Sequence, residues 1–132
     1  MSKPSTLQRY LTILAIYGGV LLVGISLTLF PSAGPIFKDP DLHNLSSSQF
    51  GSIFTPQTIM AIIGALSAAT IAGRFGMKRL LQIGMVLTGA ALLVAVATQG
   101  VIGSGNLSFY LLWVATALLG VGFAISLTAL NA

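Results

Sequence analysis

The sequence predicts an all-α integral membrane protein with four transmembrane helices, and three observations carry that reading. Only 6% of the 132 residues are charged while 55% are hydrophobic, with a mean hydropathy of +0.97. A soluble domain carries about 25% charged residues, so this composition would not cover a globular surface. Four apolar stretches, at about 10–30, 50–73, 80–98 and 109–130, hold no charged side chain. Each is near the length that crosses a hydrocarbon layer of roughly 30 Å at 1.5 Å per residue. The few charges sit at the ends of these stretches. They read as topology signals and not as a nucleic-acid patch.

The first stretch follows a short polar lead carrying Lys3 and Arg9. A cleaved signal peptide is the rival reading here. The apolar run is too long for a signal core of about 7–15 residues, and Pro31 and Pro35 stand where cleavage would be disfavoured. Residues 31–48 read as a polar loop with three prolines, Lys38, Asp39, Asp41 and His43, the histidine solvated.

Ser46 and Gln49 then fit a capping box, in which each side chain satisfies an open amide at a helix start. The second stretch holds Pro56 near its first third, which predicts a kink. Ala65, Ala69 and Gly73 recur at i, i+4 and i+8, a small-residue stripe where a partner helix can approach closely.

Residues 74–79 form a basic turn, and the third stretch follows with Gly84, Thr88, Gly89, Ala91 and Ala95. A glycine-rich loop at 99–108 leads to the fourth stretch. Phe109, Tyr110 and Trp113 open it as an interfacial aromatic belt.

Four crossings put Lys3, Arg9, Arg74, Lys78 and Arg79 on one side and Lys38 alone on the other. The positive-inside rule then places both termini in the cytoplasm, in a multi-pass protein of the plasma (inner) membrane. Ile25-Ser26-Leu27-Thr28 returns as Ile125-Ser126-Leu127-Thr128. The two copies lie in segments of opposite direction, the pairing expected of an inverted repeat.

The stretch Gly73-Arg74-Phe75-Gly76-Met77-Lys78-Arg79 resembles the signature between helices two and three of the major facilitator superfamily of transporters, approximately G-x-L-x-D-R-x-G-R-[KR]-[KR]. Arg74, Phe75, Gly76, Lys78 and Arg79 fit the pattern. The run 45–51 looks like the family's usual lead into helix two. The ending from Gly120 through Asn131 is similar to helix four of the fucose-permease-like branch.

The resemblance spans essentially the whole chain. It implies helices 1–4 of a twelve-helix carrier, the amino-terminal third of a protein that moves a small solute by alternating access. The departures are Ala69 for the first glycine, Gly73 for the acid and Met77 for the first basic residue after the glycine. In the family the acid is thought to brace the cytoplasmic gate, which Gly73 cannot do. The glycine pair Gly73 and Gly76 still lets the turn close, and Arg74, Lys78 and Arg79 hold it in the cytoplasm as a topology or gating motif.

No residue set here supports catalysis. The chain lacks cysteine, and one histidine with two loop aspartates makes no metal cage; no cofactor is implied. Polar groups inside the apolar stretches are the candidates for substrate contact, because each costs free energy unless it faces protein or water. Gln57 leads, its rival role being to satisfy the carbonyl left open by Pro56. Tyr17 is next, with helix packing as its rival. Asn131 follows, with an interfacial cap as its rival. Ser26, Thr28, Ser126 and Thr128 are expected to bond their own helix backbone.

No acid lies within the four stretches, so proton coupling through a membrane carboxylate would need residues outside this chain. The expected partners are the lipid bilayer, a small solute, and either missing carboxyl-terminal helices or another chain. Two rivals stand beside the carrier reading. One is a non-transporting accessory or assembly subunit. The other is a small four-helix multidrug exporter, a class that carries a glutamate in its first helix, where this chain has none.

Overall fold

A capping box that the apolar pattern does not announce starts the first helix. The computed structural model describes residues 5–131, so Lys3 lies outside the described residues. The Ser5 hydroxyl accepts from the Gln8 amide, and the Gln8 side chain accepts from the Ser5 amide. Two donors that a helix start leaves open are thereby satisfied. Helix α1 then runs Thr6–Ser32, longer at both ends than the apolar count.

Pro31 sits within the last turn of α1, where a missing N–H removes a single ladder bond. After Ala33 a short helix α2, Gly34–Lys38, starts with Pro35 in its first turn. Residues 31–48 are therefore not an open loop. Prolines at helix ends punctuate the backbone here without melting it.

Helix α3, Ser47–Ser52, starts at the expected Ser46–Gln49 capping box. The helix breaks at Ile53, and α4 continues over Phe54–Phe75. Pro56 thus falls in the first turn of α4, where an N–H has no helical partner in any case. At this break Ile53 keeps helical angles, φ −63° and ψ −20°, and its amide still donates to the Gln49 carbonyl at 3.2 Å.

Gly76 alone separates α4 from α5, Met77–Ala97. Its φ of 81° and ψ of 160° lie in a region that essentially only glycine occupies. The 74–79 turn is corrected to one residue. Gly73 is helical and takes no part in the reversal, while Lys78 and Arg79 stand in the first turn of α5. A 3₁₀ turn, Thr98–Val101, then leads to α6, Gly105–Leu130, which begins earlier than the predicted 109.

Four helical spans, Thr6–Lys38, Ser47–Phe75, Met77–Val101 and Gly105–Leu130, are long and apolar enough to cross a membrane. Among the described residues there is no strand. Helix α6 is the centre: half of its most apolar window is buried, against 11% to 24% in the other spans. A helix apolar all round has no polar face to show water, and here it takes the interior position.

Contacts set the directions. Gln57 meets Gly120 and Gly64 meets Val121 and Ala124, so α4 runs parallel to α6. Gly84 meets Ser126 and Thr88 meets Gly122, so α5 runs antiparallel to it. Helices α4 and α5 each lie against α6 far more than against each other, and α1 docks lightly. It does so along Gly19, Val23, Ser26 and Phe30.

Two apolar clusters stand at different heights in the bundle. Phe30, Phe37, Leu45, Ile53, Ala91, Leu112 and Leu119 pack at the end that carries the 39–46 turn. Ala68, Leu80 and Ile125 pack toward the Gly76 end. The predicted stripe Ala65, Ala69 and Gly73 is exposed, and the residues of α4 that bury are Pro56, Gly64 and Ala68. Both sets have helical spacing. What decides between them is the surface of α6, where Gly120 meets the Gln57 backbone and Val121 and Ala124 meet Gly64.

Candidate functional site

Helices α5 and α6 meet in a close seam made of two glycines and two hydroxyl residues. A methyl group at Gly84 would meet the Ser126 hydroxyl and would lie 2.8 Å from the Ser126 amide nitrogen. A methyl at Gly122 would lie 2.7 Å from Thr88 Oγ1 and 2.8 Å from the Thr88 amide nitrogen. Each glycine thus receives the hydroxyl residue of the opposite helix. Small residues at i and i+4 on both helices let the backbones approach, which is how apolar helices associate when lipid removes the hydrophobic difference between them.

The hydroxyls in this seam fare differently. Thr88 donates to the Gly84 carbonyl at 3.0 Å. Ser126 is fully buried and its hydroxyl has no hydrogen-bond partner among the described residues. The other three hydroxyls of the repeated Ile-Ser-Leu-Thr run behave as expected. Ser26 donates to Leu22 at 2.7 Å, Thr28 to Ile25 at 3.1 Å and Thr128 to Ala124 at 2.8 Å. Ser126 is the exception because its space is taken by Gly84.

The substrate candidates do not converge. Gln57 is half-buried in the first turns of α4, with Gly120 of α6 packed on its backbone carbonyl. Its side chain makes no hydrogen bond among the described residues. Asn131 is exposed and follows the last residue of α6, its amide donating to Leu127 at 3.1 Å. Eleven residues of helix separate it from the level of Gln57, about 16 Å. Tyr17 is 72% exposed and lines an open groove of about 460 Å³ along α1 with Tyr10, Ile13, Leu14, Gly18 and Leu21. The Met85 sulfur would lie 4.0 Å from a methyl at Gly19, which sets Tyr17 near the level of Ser126.

The cationic residues do converge, by element if not by contact. Arg9 lies in the second turn of α1, Arg74 in the last turn of α4, and Lys78 and Arg79 in the first turn of α5. All four are exposed, as is Gly73. Arg74 complements the negative end of the α4 dipole, whereas Lys78 and Arg79 stand at the positive end of α5. A side chain at Gly73 would meet nothing within 4 Å. The family's acid would therefore fit there, and its absence is a matter of sequence and not of space.

At the opposite end a residue group appears that sequence reasoning misplaces. His43 is 4% exposed, not solvated, and its Nδ1 lies 3.0 Å from Ser108 Oγ at the start of α6. Ser108 in turn donates to the Val101 carbonyl at 3.3 Å. With the proton on Nδ1, imidazole, hydroxyl and carbonyl form one satisfied chain. The Gly103 amide donates to Leu42 at 2.8 Å, so backbone and side chain both tie the 39–46 turn to the 98–104 turn. The imidazole also packs against Phe37 with ring centres 5.5 Å apart. The next residue, Asn44, has a φ of 51°, in the left-handed region that asparagine tolerates.

No protein-family model, curated protein or solved structure matches the chain.

Proposed function

We propose that this chain is the four-helix portion of a facilitator-type secondary transporter, lying in the plasma (inner) membrane with its cationic end in the cytoplasm. The observation that carries the reading is the reversal at Gly76. Two apolar spans are joined through one glycine, with Arg74 and Phe75 before it and Lys78 and Arg79 after it. This is the order and spacing of the resemblance noted above.

Further support comes from the direction of the helices, with α4 and α6 parallel and α5 opposed, as four successive crossings require. The large exposed apolar surface of α1, including Leu7, Leu14, Tyr17 and Leu21, fits a helix that faces lipid or further helices. Alternating access would come from rocking of this unit against helices outside it. Gln57 is the foremost residue for contact with a small solute, being half-buried with a side chain that makes no hydrogen bond among the described residues. Tyr17 and Asn131 are secondary.

Flux measurements in proteoliposomes test this reading. The 132-residue chain and the product of its extended reading frame are to be reconstituted separately and given a panel of labelled sugars and small organic ions. Flux that requires the extension supports the carrier. Flux from the 132 residues alone favours the small exporter. Stable co-purification with a larger membrane protein, without flux, favours the accessory subunit.

A further inference from the structure

We infer that the cationic end of the bundle is a docking surface for anionic phospholipid headgroups. The inference rests on the membrane reading above. It starts from a separation of charge: Arg9, Arg74, Lys78 and Arg79 lie at one end, and both acids, Asp39 and Asp41, lie in the turn at the other. The four cations are exposed, and none makes an ion pair or a side-chain hydrogen bond among the described residues.

The Gly76 reversal fixes three of them together. Arg74 and Lys78 flank a single non-helical residue, and Arg79 follows immediately. The first turn of α5 contains no acid and no side-chain cap, so Lys78 and Arg79 add to a positive dipole end. Among the described residues no acidic side chain lies at this end.

The neighbours of the cations decide the kind of partner. Phe75 is 54% exposed and Met77 is 44% exposed, on either side of Gly76. On α1, Arg9 lines a groove with Thr6, Tyr10 and Ile13, and Tyr10 is 67% exposed. Cations interleaved with exposed apolar and aromatic side chains fit the membrane interface, where a ring or thioether reaches the acyl boundary and the cation meets phosphate. An acidic soluble partner would leave Phe75 and Met77 in water. Clusters of four or more cations beside membrane spans bind anionic headgroups by this attraction.

The test is native mass spectrometry of the full chain released from nanodiscs of equal phosphatidylglycerol and phosphatidylethanolamine. Both leaflets are open in a nanodisc, so a change of topology does not disturb the readout. The wild type is expected to retain phosphatidylglycerol preferentially. Each neutralised cation should lower the preference by about fivefold, in Arg79→Gln alone and further in Arg74→Gln/Lys78→Gln/Arg79→Gln. Lys38→Gln, at the other end, should leave it unchanged.

Equal retention of both lipids by the wild type and the triple variant overturns the inference. So does loss of the preference on adding inorganic phosphate at millimolar concentration, which would assign the site to a soluble anion. Resistance of the wild type to alkaline carbonate extraction, measured alongside, tests the membrane reading separately.

Discussion

The Ser126 hydroxyl lies over Gly84 with no hydrogen-bond partner among the described residues, in the closest-packed part of the α5–α6 seam. A hydroxyl that finds no partner loses its hydration without recompense, at a cost of about 1–3 kcal/mol. Ser126→Ala keeps the shape and removes the polar atom. It is expected to leave thermal stability in detergent unchanged or raised, as followed by Trp113 fluorescence. Gly84→Ala adds a methyl against the Ser126 amide nitrogen and is expected to cost about 1–3 kcal/mol. If Ser126→Ala destabilises as much as Gly84→Ala, the hydroxyl has a partner in solution and the seam is wrongly read.

His43 and Ser108 form the second pairing with a measurable worth. Truncating either leaves the other buried with an open donor or acceptor, which costs about 1–3 kcal/mol. His43→Ala and Ser108→Ala are each expected to destabilise. Together they should cost less than the sum, with a coupling of about 0.5–3 kcal/mol. Denaturation of the two single variants and the double variant closes the cycle. A second readout is protease nicking in the 39–46 turn, which should rise in His43→Ala, since that turn is held by His43 and by the Leu42–Gly103 backbone bond. Strict additivity would dissolve the proposed chain from imidazole to Val101.

These two pairings show where the sequence was readable. The four spans, the Ser46 capping box and the break near Pro56 follow from local rules: apolar length, an S-x-x-Q pattern and a missing N–H. Ser5 and Gln8 obey the same capping rule and were legible too, but the apolar count drew attention past them to Tyr10.

What escaped was everything decided by a neighbour. Ala65 and Ala69 are small residues with the same spacing as Gly64 and Ala68. Only the position of Gly120, Val121 and Ala124 on α6, more than fifty residues along the chain from Gly64, settles which pair is buried. His43 looks solvated beside Asp39 and Asp41 until α6 brings Ser108 to it. Polarity in or at the end of an apolar stretch carries no information on height or facing, and Gln57, Tyr17 and Asn131 stand at different levels.

Gly73 and Gly76 are three residues apart and should respond in opposite ways. Gly76 has a positive φ that a side chain resists, so Gly76→Ala is expected to cost about 1–3 kcal/mol. Gly73 is helical with open space around its Cα, so Gly73→Ala is expected to stabilise by about 0.4–1 kcal/mol through the unfolded chain. Gly73→Asp places a carboxylate at the unfavourable negative end of the α4 dipole, but next to Arg74 and near the positive end of α5, and is expected to be tolerated. Melting temperatures of the three variants decide this. A destabilised Gly73→Ala would mean that position 73 is covered by a surface outside these four helices.

The absence of cysteine makes the orientation directly measurable. Met77→Cys places a thiol beside Gly76 at a position that is 44% exposed, and Asp41→Cys places one in an exposed position of the opposite turn. Five cations by sequence lie on the Met77 side and one on the other, and the orientation proposed from the positive-inside bias has Met77 facing the cytoplasm. A membrane-impermeant maleimide applied to cells whose inner membrane is intact is therefore expected to label Asp41→Cys and to spare Met77→Cys. Permeabilising the membrane should expose both. Labelling of Met77→Cys alone in intact cells would invert the topology, and equal labelling of both would mean that the helices do not form a barrier-spanning unit.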